Sequence, residues 1–253
     1  MGKIIAFSNQ KGGVGKTTTA LNMASYLAAF GKQVLLVDID PQGNASSGTG
    51  VKLKSSMSTY DVLVKNCKPH AAIVATQLKG LHVMPSSISL AGAEVELVYM
   101  PTRDKVLKEA LNEVKNDYDY VLVDCPPSLG LLTLNALSAA DSVIIPIQSE
   151  YFALEGLTQL MNTIKLIKQH LNPKLAIDGV VLTMQDKRSL LSRDVTEEIH
   201  KYFGKKVFNT IIPRNIKLAE APSHGLPIIL YDPKCKGAIA YQQLTKEFLD
   251  SEA

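Results

Sequence analysis

The chain has 253 residues, a formal net charge of +3 and 46% hydrophobic residues. This composition excludes a generally disordered chain, and the length is sufficient to bury a large core. No apolar run reaches the roughly 18–20 residues of a membrane span, and three scattered cysteines argue against a disulfide framework. From the length we expect one domain over residues 1–253. Because no signal peptide is evident either, we expect it to be located in the cytoplasm.

Short apolar runs alternate with longer helical patterns. The strand candidates are Lys3–Asn9, Gln33–Asp38, Gly80–Met84, Tyr120–Asp124, Ser142–Ile147 and Ala176–Thr183, with weaker ones at Lys206–Asn209 and Pro227–Leu230. Helices are predicted near 16–30, 58–66, 104–116, 154–170, 193–203 and 237–250, with Ser58 and Asp104 as N-caps and Gly31 as a C-cap. This alternation predicts an α/β fold with a doubly wound, mostly parallel sheet and helices on both faces. Ligands of such sheets bind at the carboxyl ends of the strands.

A glycine-rich loop follows the first predicted strand, and an apolar-periodic helix follows the loop. Its sequence is Lys11-Gly12-Gly13-Val14-Gly15-Lys16-Thr17-Thr18. In this context backbone amides curl around phosphates, and the helix N-terminus adds a favourable dipole. Lys16 would reach the β- and γ-phosphates, Thr17 would bind magnesium and Thr18 would donate to the α-phosphate. The sequence therefore predicts a P-loop NTPase that binds ATP or ADP together with Mg²⁺ through this loop.

The loop departs from the general P-loop pattern at its start. Gln10 stands where glycine is usual, and a second lysine, Lys11, follows it. Lys11 cannot easily fold back onto the γ-phosphate of its own subunit, because the loop backbone already wraps that phosphate. It would either face solvent or reach a nucleotide in a facing subunit, as an arginine finger does. The spacing alone leaves both interpretations open.

Three aspartates follow two hydrophobic strands. Asp38 ends one strand and Asp40 follows it, and the i, i+2 spacing aims both side chains in one direction. Two acids beside a triphosphate would repel it unless magnesium lies between them or one acid orients a water molecule. Asp124 closes the strand Tyr120–Asp124 in the Walker B pattern and would bind magnesium. We interpret the neighbouring Cys125 as a small buried thiol.

The run Lys11–Thr17 resembles the deviant Walker A motif of the ParA/MinD superfamily. The segments 91–97, 153–157, 212–215 and 220–225 are similar to its chromosomal ParA, or Soj-type, group, and the likeness extends from residue 3 to about 240. The resemblance implies a nucleotide-sandwich homodimer in which Lys11 contacts the ATP of the partner. It also implies that Asp40 positions the attacking water, that Asp38 supports magnesium indirectly, and that Pro213 and Asn215 contact adenine. For that last loop, a purely structural turn is the alternative.

The resemblance further implies an ATPase of weak intrinsic activity that partitions chromosomes or plasmids. The ATP-bound dimer would bind double-stranded DNA without sequence preference, and a ParB-type centromere-binding protein would stimulate hydrolysis and release. Such a protein is associated with the nucleoid, and a replication initiator is a further candidate partner. Residues 200–236 contain seven cations and two anions, which suggests one face suited to phosphates; a solvated surface with chance clustering is the alternative that charge alone leaves open. The DNA-binding candidates are Arg188, Lys217, Lys201, Lys205, Lys206 and Arg214, the first two being preferred.

Other functions stay open at this point. A MinD-like membrane-positioned ATPase is one, although residues 242–253 are acidic and a poor membrane anchor. A regulatory or scaffold protein with a structural nucleotide is another. A metabolic synthetase of the same fold would need a pocket for a carboxylate substrate, and the sequence shows no signature of one.

Overall fold

The computed structural model describes residues 2–51, 57–150, 153–185 and 190–252, in which strands and helices alternate. The strands are β1 (Lys3–Phe7), β2 (Val34–Asp38), β3 (Val74–Ala75), β4 (Leu81–Met84), β5 (Tyr120–Asp124), β6 (Ser142–Gln148) and β7 (Ala176–Thr183). The helices are α1 (Lys16–Ala29), α2 (Asn44–Gly48), α3 (Thr59–Val64), α4 (Pro69–Ala72), α5 (Leu90–Leu97), α6 (Val106–Val114), α7 (Leu131–Ala139), α8 (Ala153–His170), α9 (Leu190–Phe203), α10 (Ile216–Glu220), α11 (Ile228–Tyr231) and α12 (Lys236–Glu252).

The strands form one sheet in the order β3-β4-β2-β5-β1-β6-β7. The pairings are parallel apart from the short β3, which runs antiparallel to β4. The predicted doubly wound, mostly parallel sheet is therefore confirmed. Because β2 and β5 pair in register, Asp38 lies directly beside Asp124 at the last position of both strands.

Helices cover both faces of the sheet, and alternate strand residues enter two separate cores. Leu36 and Leu122 pack on one face with residues of α1 and α12, such as Leu27 and Phe248. Val37, Val121 and Ile145 pack on the other face with α6, α7 and α8. Two covered faces explain why the central strands read as continuous apolar runs rather than as alternating ones.

The parallel strands give the sheet two chemically different ends. The carboxyl end holds the strand termini Phe7, Asp38, Asp124 and Thr183, and the amino end holds Lys3 and Ala176. At the amino end Lys3 forms ion pairs with Asp178 of β7 (2.7 Å) and Glu252 of α12 (2.8 Å). Of the described helices, none combines the length and the apolar character needed to cross a bilayer.

Two of the three predicted helix caps are confirmed. Ser58 caps α3 in a capping box with Asp61. Gly31 adopts a left-handed φ of 86° after α1, and the amide of Lys32 donates to the carbonyl of Leu27, as in a Schellman motif. Asp104 as the N-cap of the next helix is wrong. That helix, α6, begins after Lys105, and no side chain caps it.

Two weak strand predictions also differ from the structure. Pro227–Leu230 is wrong as a strand, because the backbone turns after Pro227 into the helical turn α11. Of Lys206–Asn209, only Val207 forms an isolated parallel bridge, with Val180 of β7. The helices α2, α4, α5, α7, α10 and α11 and the strand β3 were not predicted. Most are too short for a periodic pattern, and α7 is buried on nearly every side, so its few polar residues form no stripe that would mark a helix.

Candidate nucleotide site

The glycine-rich loop joins β1 to α1 at the carboxyl end of the central strand. Gly13 and Gly15 have φ angles of 74° and 84°, in the left-handed region that favours glycine. Gly15 is the N-cap of α1 and offers no side-chain acceptor to the first amides of the helix. Those amides have no partner within the helix, so they can donate to an anion placed above the loop.

Lys16 lies inside this loop, with only 6% of its surface exposed. Its Nζ donates to the carbonyl of Lys11 at 3.1 Å. Burial lowers the pKa of Lys16, while the charges of Asp124 and Asp40 act in the opposite direction. A buried ammonium held by one neutral carbonyl is poorly compensated, so a phosphate oxygen is a better partner for it.

Lys11 is fixed at both its backbone and its side chain. Its amide donates to Asn9 Oδ1 (3.0 Å), and Asn9 Nδ2 donates to the carbonyl of Pro146 in β6 (2.8 Å). Its Nζ forms an ion pair of 2.6 Å with Glu150, and both side chains of the pair are partly exposed. Lys11 is therefore engaged by Glu150 of its own subunit rather than free in solvent.

Asp38 is fully buried and satisfied by hydrogen bonds. Its Oδ2 accepts from the amide (2.7 Å) and the hydroxyl (2.6 Å) of Ser46, and its Oδ1 accepts from the amide of Asp40 (3.1 Å). Burial raises the pKa of Asp38 to about 6, although the bonds from Ser46 counteract it. This side chain is held rigidly and points into the molecule rather than toward solvent.

Asp124 is equally buried, but within the part of the chain that the structure describes neither of its carboxylate oxygens has a hydrogen-bond partner. Burial, and next the charge of Asp38, raise the pKa of Asp124 well above its usual range. The hydroxyl of Thr17 opposes this shift, although it makes no hydrogen bond of normal geometry with the carboxylate. An unpartnered buried carboxylate beside a hydroxyl fits Mg²⁺, which prefers oxygen ligands.

No group of three or more His, Cys, Asp or Glu side chains suited to a metal ion occurs within the described residues. That finding is compatible with magnesium, which protein sites hold through one or two carboxylates together with substrate phosphates and water. Cys125, next to Asp124, is a fully buried thiol whose pKa is raised by burial, as predicted.

Asp40 lies at the same edge and is also buried, at 7% exposure. Its Oδ1 accepts from the amide of Gln42 (2.9 Å), and its carbonyl accepts from the hydroxyl of Ser86 (2.5 Å). The loop after β2 is therefore anchored to the loop after β4. The structure brings Asp38, Asp40 and Asp124 together with Lys16, as the spacing predicted.

A cavity of about 310 Å³ adjoins the phosphate loop. Gly15 and Thr18 form one wall, Pro213 and Asn215 another, and Thr183 of β7 also contributes. Asn215 also caps α10, because its Oδ1 accepts from the amide of Lys217 (2.8 Å). The loop that the resemblance assigns to adenine therefore lines a cavity and serves as a structural turn as well.

The six cationic DNA-binding candidates occupy different settings. Arg188 lies outside the described residues. Lys217 is ion-paired with Glu220 (2.9 Å) and Lys201 with Glu198 (2.6 Å). Lys206 donates to the carbonyl of Ile177. Arg214 and Lys205 are exposed, and within the described part of the chain neither has an acidic partner.

These cations do not form the single face that we expected from their clustering in sequence. After α9 the chain is at the amino end, where Lys201, Lys205 and Lys206 lie. It then returns along β7, as the parallel bridges Val180–Val207 and Thr183–Ile212 show. Arg214 consequently lines the cavity at the carboxyl end, and Lys217 follows it there. A short extended segment thus divides one basic run between opposite ends of the sheet.

Several residues of the site escaped the sequence analysis. Asn9 orders Lys11, Ser46 binds Asp38, and the hydroxyl of Thr183 donates to the carbonyl of Val14 (2.8 Å). Glu150 engages Lys11 from beyond the end of β6. Each contact except that of Asn9 joins different strands, helices or loops, so no local motif indicates it.

A family model described as an AAA domain matches residues 2–177. Over 248 residues, 98% of each chain, the protein is 58% identical to the sporulation initiation inhibitor protein Soj of Bacillus subtilis (strain 168). It is 53% identical over 249 residues, again 98% of each chain, to the chromosome-partitioning ATPase Soj of Treponema pallidum (strain Nichols).

Among solved structures, a similar one is cobyrinic acid a,c-diamide synthase from Mycobacterium smegmatis with bound ADP and magnesium. The TM-score is 0.85 at 39% sequence identity, covering 98% of this chain and 94% of that one.

Proposed function

The chain belongs to the AAA-domain family of ParA/MinD-type ATPases that includes the Soj partitioning proteins, and from this premise we propose an ATP-controlled DNA-binding switch. It is an ATPase of the chromosome-partitioning group, and its cofactors are ATP or ADP and Mg²⁺. The proposal is that two ATP-bound subunits form a dimer that binds DNA without sequence preference, and that hydrolysis releases it. The main observation that supports this proposal is the phosphate loop, in which buried Lys16 lies beside the unpartnered Asp124.

Within one subunit, each residue of the site has a separate task. The amides from Gly12 to Thr18 bind the phosphates, and Lys16 leaves the carbonyl of Lys11 for a phosphate oxygen. Thr17 and Asp124 hold magnesium, which when bound neutralises charge that develops on the phosphates. Asp38, fixed by Ser46, supports that site. Asp40 orients the attacking water, and Pro213 and Asn215 contact adenine beside the loop.

The dimer is proposed from Lys11. Its backbone is fixed by Asn9, whereas its side chain is held by one partly exposed ion pair that an approaching subunit can displace. When a second subunit approaches, that side chain leaves Glu150 and contacts the nucleotide of the partner. ATP-dependent dimerisation on a sizing column should therefore be lost in Lys11→Ala, and an unchanged dimer fraction would contradict the trans role.

DNA binding is proposed from exposed lysines and arginines that contact phosphates rather than bases. The candidates are Arg188, Lys201, Lys205, Lys206, Arg214 and Lys217. Among the described ones, Lys205 and Arg214 are the better placed, because Lys201 and Lys217 are already ion-paired. A ParB-type partner stimulates hydrolysis, a replication initiator is a second candidate partner, and the DNA-bound form is associated with the nucleoid.

The decisive experiment measures binding to double-stranded DNA with ATP, with ADP and without nucleotide, and measures mass in the same samples. At moderate salt we expect retardation only with ATP, in samples of dimer mass, and a steep loss of affinity as salt is raised further. Lys16→Ala is the control that folds but does not switch. If ADP-bound Lys16→Ala retarded DNA as strongly as the ATP-bound unaltered protein does, a nucleotide-controlled switch would be refuted.

The alternatives give different results. A MinD-like ATPase would bind liposomes with ATP and leave DNA unbound. The last helix argues against this, because Leu244 and Phe248 of α12 are fully buried against α1 and the sheet and so cannot insert into a membrane. A scaffold with a structural nucleotide would show no multiple-turnover hydrolysis. Turnover that Asp40→Ala abolishes would argue against that scaffold function.

A further inference from the structure

Among the described residues, those that line a groove at the amino end of the sheet include three lysines and no acid. Its volume is about 500 Å³, and it lies between α8, the edge strand β7 and the 3-10 turn Gly204–Lys206. Met161, Ile164 and Ile177 contribute apolar surface, whereas Lys165, Lys168 and Lys206 carry the charge. The remaining lining residues, Gln169, Pro173 and Ala176, are uncharged.

The three lysines come from segments far apart in sequence and are mostly uncompensated. Lys165 and Lys168 are i, i+3 neighbours on α8, which places them on one side of the helix. Lys206 donates to the carbonyl of Ile177 on β7, so its ammonium is held at the rim of the groove. Within the described residues, neither Lys165 nor Lys168 forms an ion pair. The acid on this stretch of β7, Asp178, is already engaged by Lys3 and by Ser142.

The residues that line the groove indicate that its ligand is a polyanion, bound through charge alone. Lysine stems can lie on apolar surface while their ammonium groups stay in water. None of the described residues that line the groove is aromatic, so they offer no surface on which unpaired bases would stack. Lys174 and Lys205 are exposed next to lining residues and extend the positive surface. A continuous row of phosphates on a duplex matches such a surface better than a single small anion does.

We propose that this groove binds the phosphate backbone of double-stranded DNA, with Lys165 and Lys168 as its principal contacts. This inference rests on the proposed DNA-binding function and assigns it a surface. The groove is at the end of the sheet opposite the phosphate loop, because α8 begins after the carboxyl end of β6 and ends before the amino end of β7. Subunits that face each other through their nucleotide sites carry these grooves at the two far ends of the dimer, so ATP controls DNA binding by giving one dimer two grooves for separate stretches of DNA, not by reshaping either groove.

The test compares Lys165→Ala/Lys168→Ala with a variant of equal charge change elsewhere, Lys79→Ala/Lys105→Ala. Both control lysines are exposed and, among the described residues, have no ion-pair partner. A dimer of the groove variant lacks four phosphate contacts, so the slope of log K against log salt should become shallower by up to about 3.6. DNA affinity at moderate salt should fall at least about tenfold, whereas the control should change much less. Lys165→Arg/Lys168→Arg should keep both the affinity and the slope.

The outcomes separate this inference from the function on which it rests. If the unaltered protein with ATP binds no DNA, the proposed function fails. If it binds DNA and the groove and control variants lose affinity equally, the groove assignment fails. ATP hydrolysis and ATP-dependent mass serve as folding checks, because neither lysine is near the nucleotide site. Vesicles with phosphatidylglycerol form a separate arm, and binding that DNA cannot compete away would overturn the assignment to DNA.

The claim about dimerisation has its own test in Lys16→Ala, which should stay monomeric. We expect its weak DNA binding at low salt to be the same with ATP, with ADP and without nucleotide. A nucleotide-dependent change in the affinity of this monomer, with nucleotide binding verified, would show that the groove itself is reshaped and would overturn the claim.

Discussion

The charged residues are buried at one end of the sheet and mostly exposed at the other. At the carboxyl end Lys16, Asp38 and Asp124 are almost fully buried and lie close to one another in space. At the amino end, lysines such as Lys165 and Lys168 are exposed, and the ion pairs of Lys3 are partly so. Buried charges are stable only with a fixed and complementary partner, whereas exposed lysines accept any phosphate that approaches. One end is therefore suited to a single compact ligand and the other to an extended one.

The largest effect is expected from Lys16→Ala at the carboxyl end. This change removes the buried ammonium that would contact the β- and γ-phosphates, and hydrolysis should fall by about 10²–10³-fold. Steady-state phosphate release measures it. The exposed amino end should be unaffected, so the monomer should keep its nucleotide-independent affinity for DNA. A variant with near-normal turnover would show that the carboxyl end is not the nucleotide site.

A second test uses the pH dependence of the metal-free, nucleotide-free protein. Burial raises the pKa of Asp38 to about 6 from an ordinary 3.8. The folded state therefore binds more protons than the unfolded state between about pH 4 and pH 6, and its stability falls as pH rises through that window. Two pKa units correspond to about 3 kcal/mol. Urea unfolding at several pH values in EDTA measures this slope.

Asp38→Asn is the control for that slope. The amide oxygen can still accept from Ser46, but it does not titrate, so the part of the fall between pH 4 and pH 6 that comes from Asp38 should disappear. Asp124, whose pKa burial also raises, should keep its own part. If the slope persisted in full, Asp38 would not be its source.

A third test addresses the packing beneath the amino end. A Cβ on Gly179 of β7 would lie 2.1 Å from the ring of Phe208. Gly179→Ala should therefore destabilise the fold by about 1–3 kcal/mol, measured by thermal or urea unfolding, with hydrolysis at low temperature retained. Gly156→Ala in α8 is the matched control, since its Cβ meets nothing within 4 Å. That control should be neutral or stabilising by about 0.5–1 kcal/mol.

The smallest effect is expected from Glu150→Gln, which releases Lys11. Exposed ion pairs contribute about 0.2–1 kcal/mol, and a dimer would contain two such pairs. If Lys11 acts in trans, the ATP-dependent dimer should form at a few-fold lower protein concentration, as sedimentation would show. The same change in a Lys11→Ala background should have no effect. An effect that survives there would mean that Glu150 acts through another residue.

The same contrast explains what could be predicted from the sequence. The phosphate loop and the aspartates after β2 and β5 are local motifs beside apolar strands, and the structure brings them together as predicted. The partners of these residues, such as Ser46 for Asp38 and Glu150 for Lys11, are 8 and 139 positions away and follow no motif. The cations at 200–236 are continuous in sequence, yet the return of the chain along β7 separates them. Periodicity also misses helices as short as α2 and α10, which tertiary packing stabilises.

The ion pair between Lys3 and Glu252 has a practical consequence for how this protein is labelled. It brings the first strand and the last helix together at the amino end. Lys3 also pairs with Asp178 of β7, so both lie next to that strand. A fluorescent protein fused at residue 2 or 252 would therefore sit near the lysine groove and could sterically compete with a duplex there. A small dye on the exposed turn at Tyr99 is a safer reporter for live imaging. This turn follows α5 and β4, on the other side of the sheet from β7.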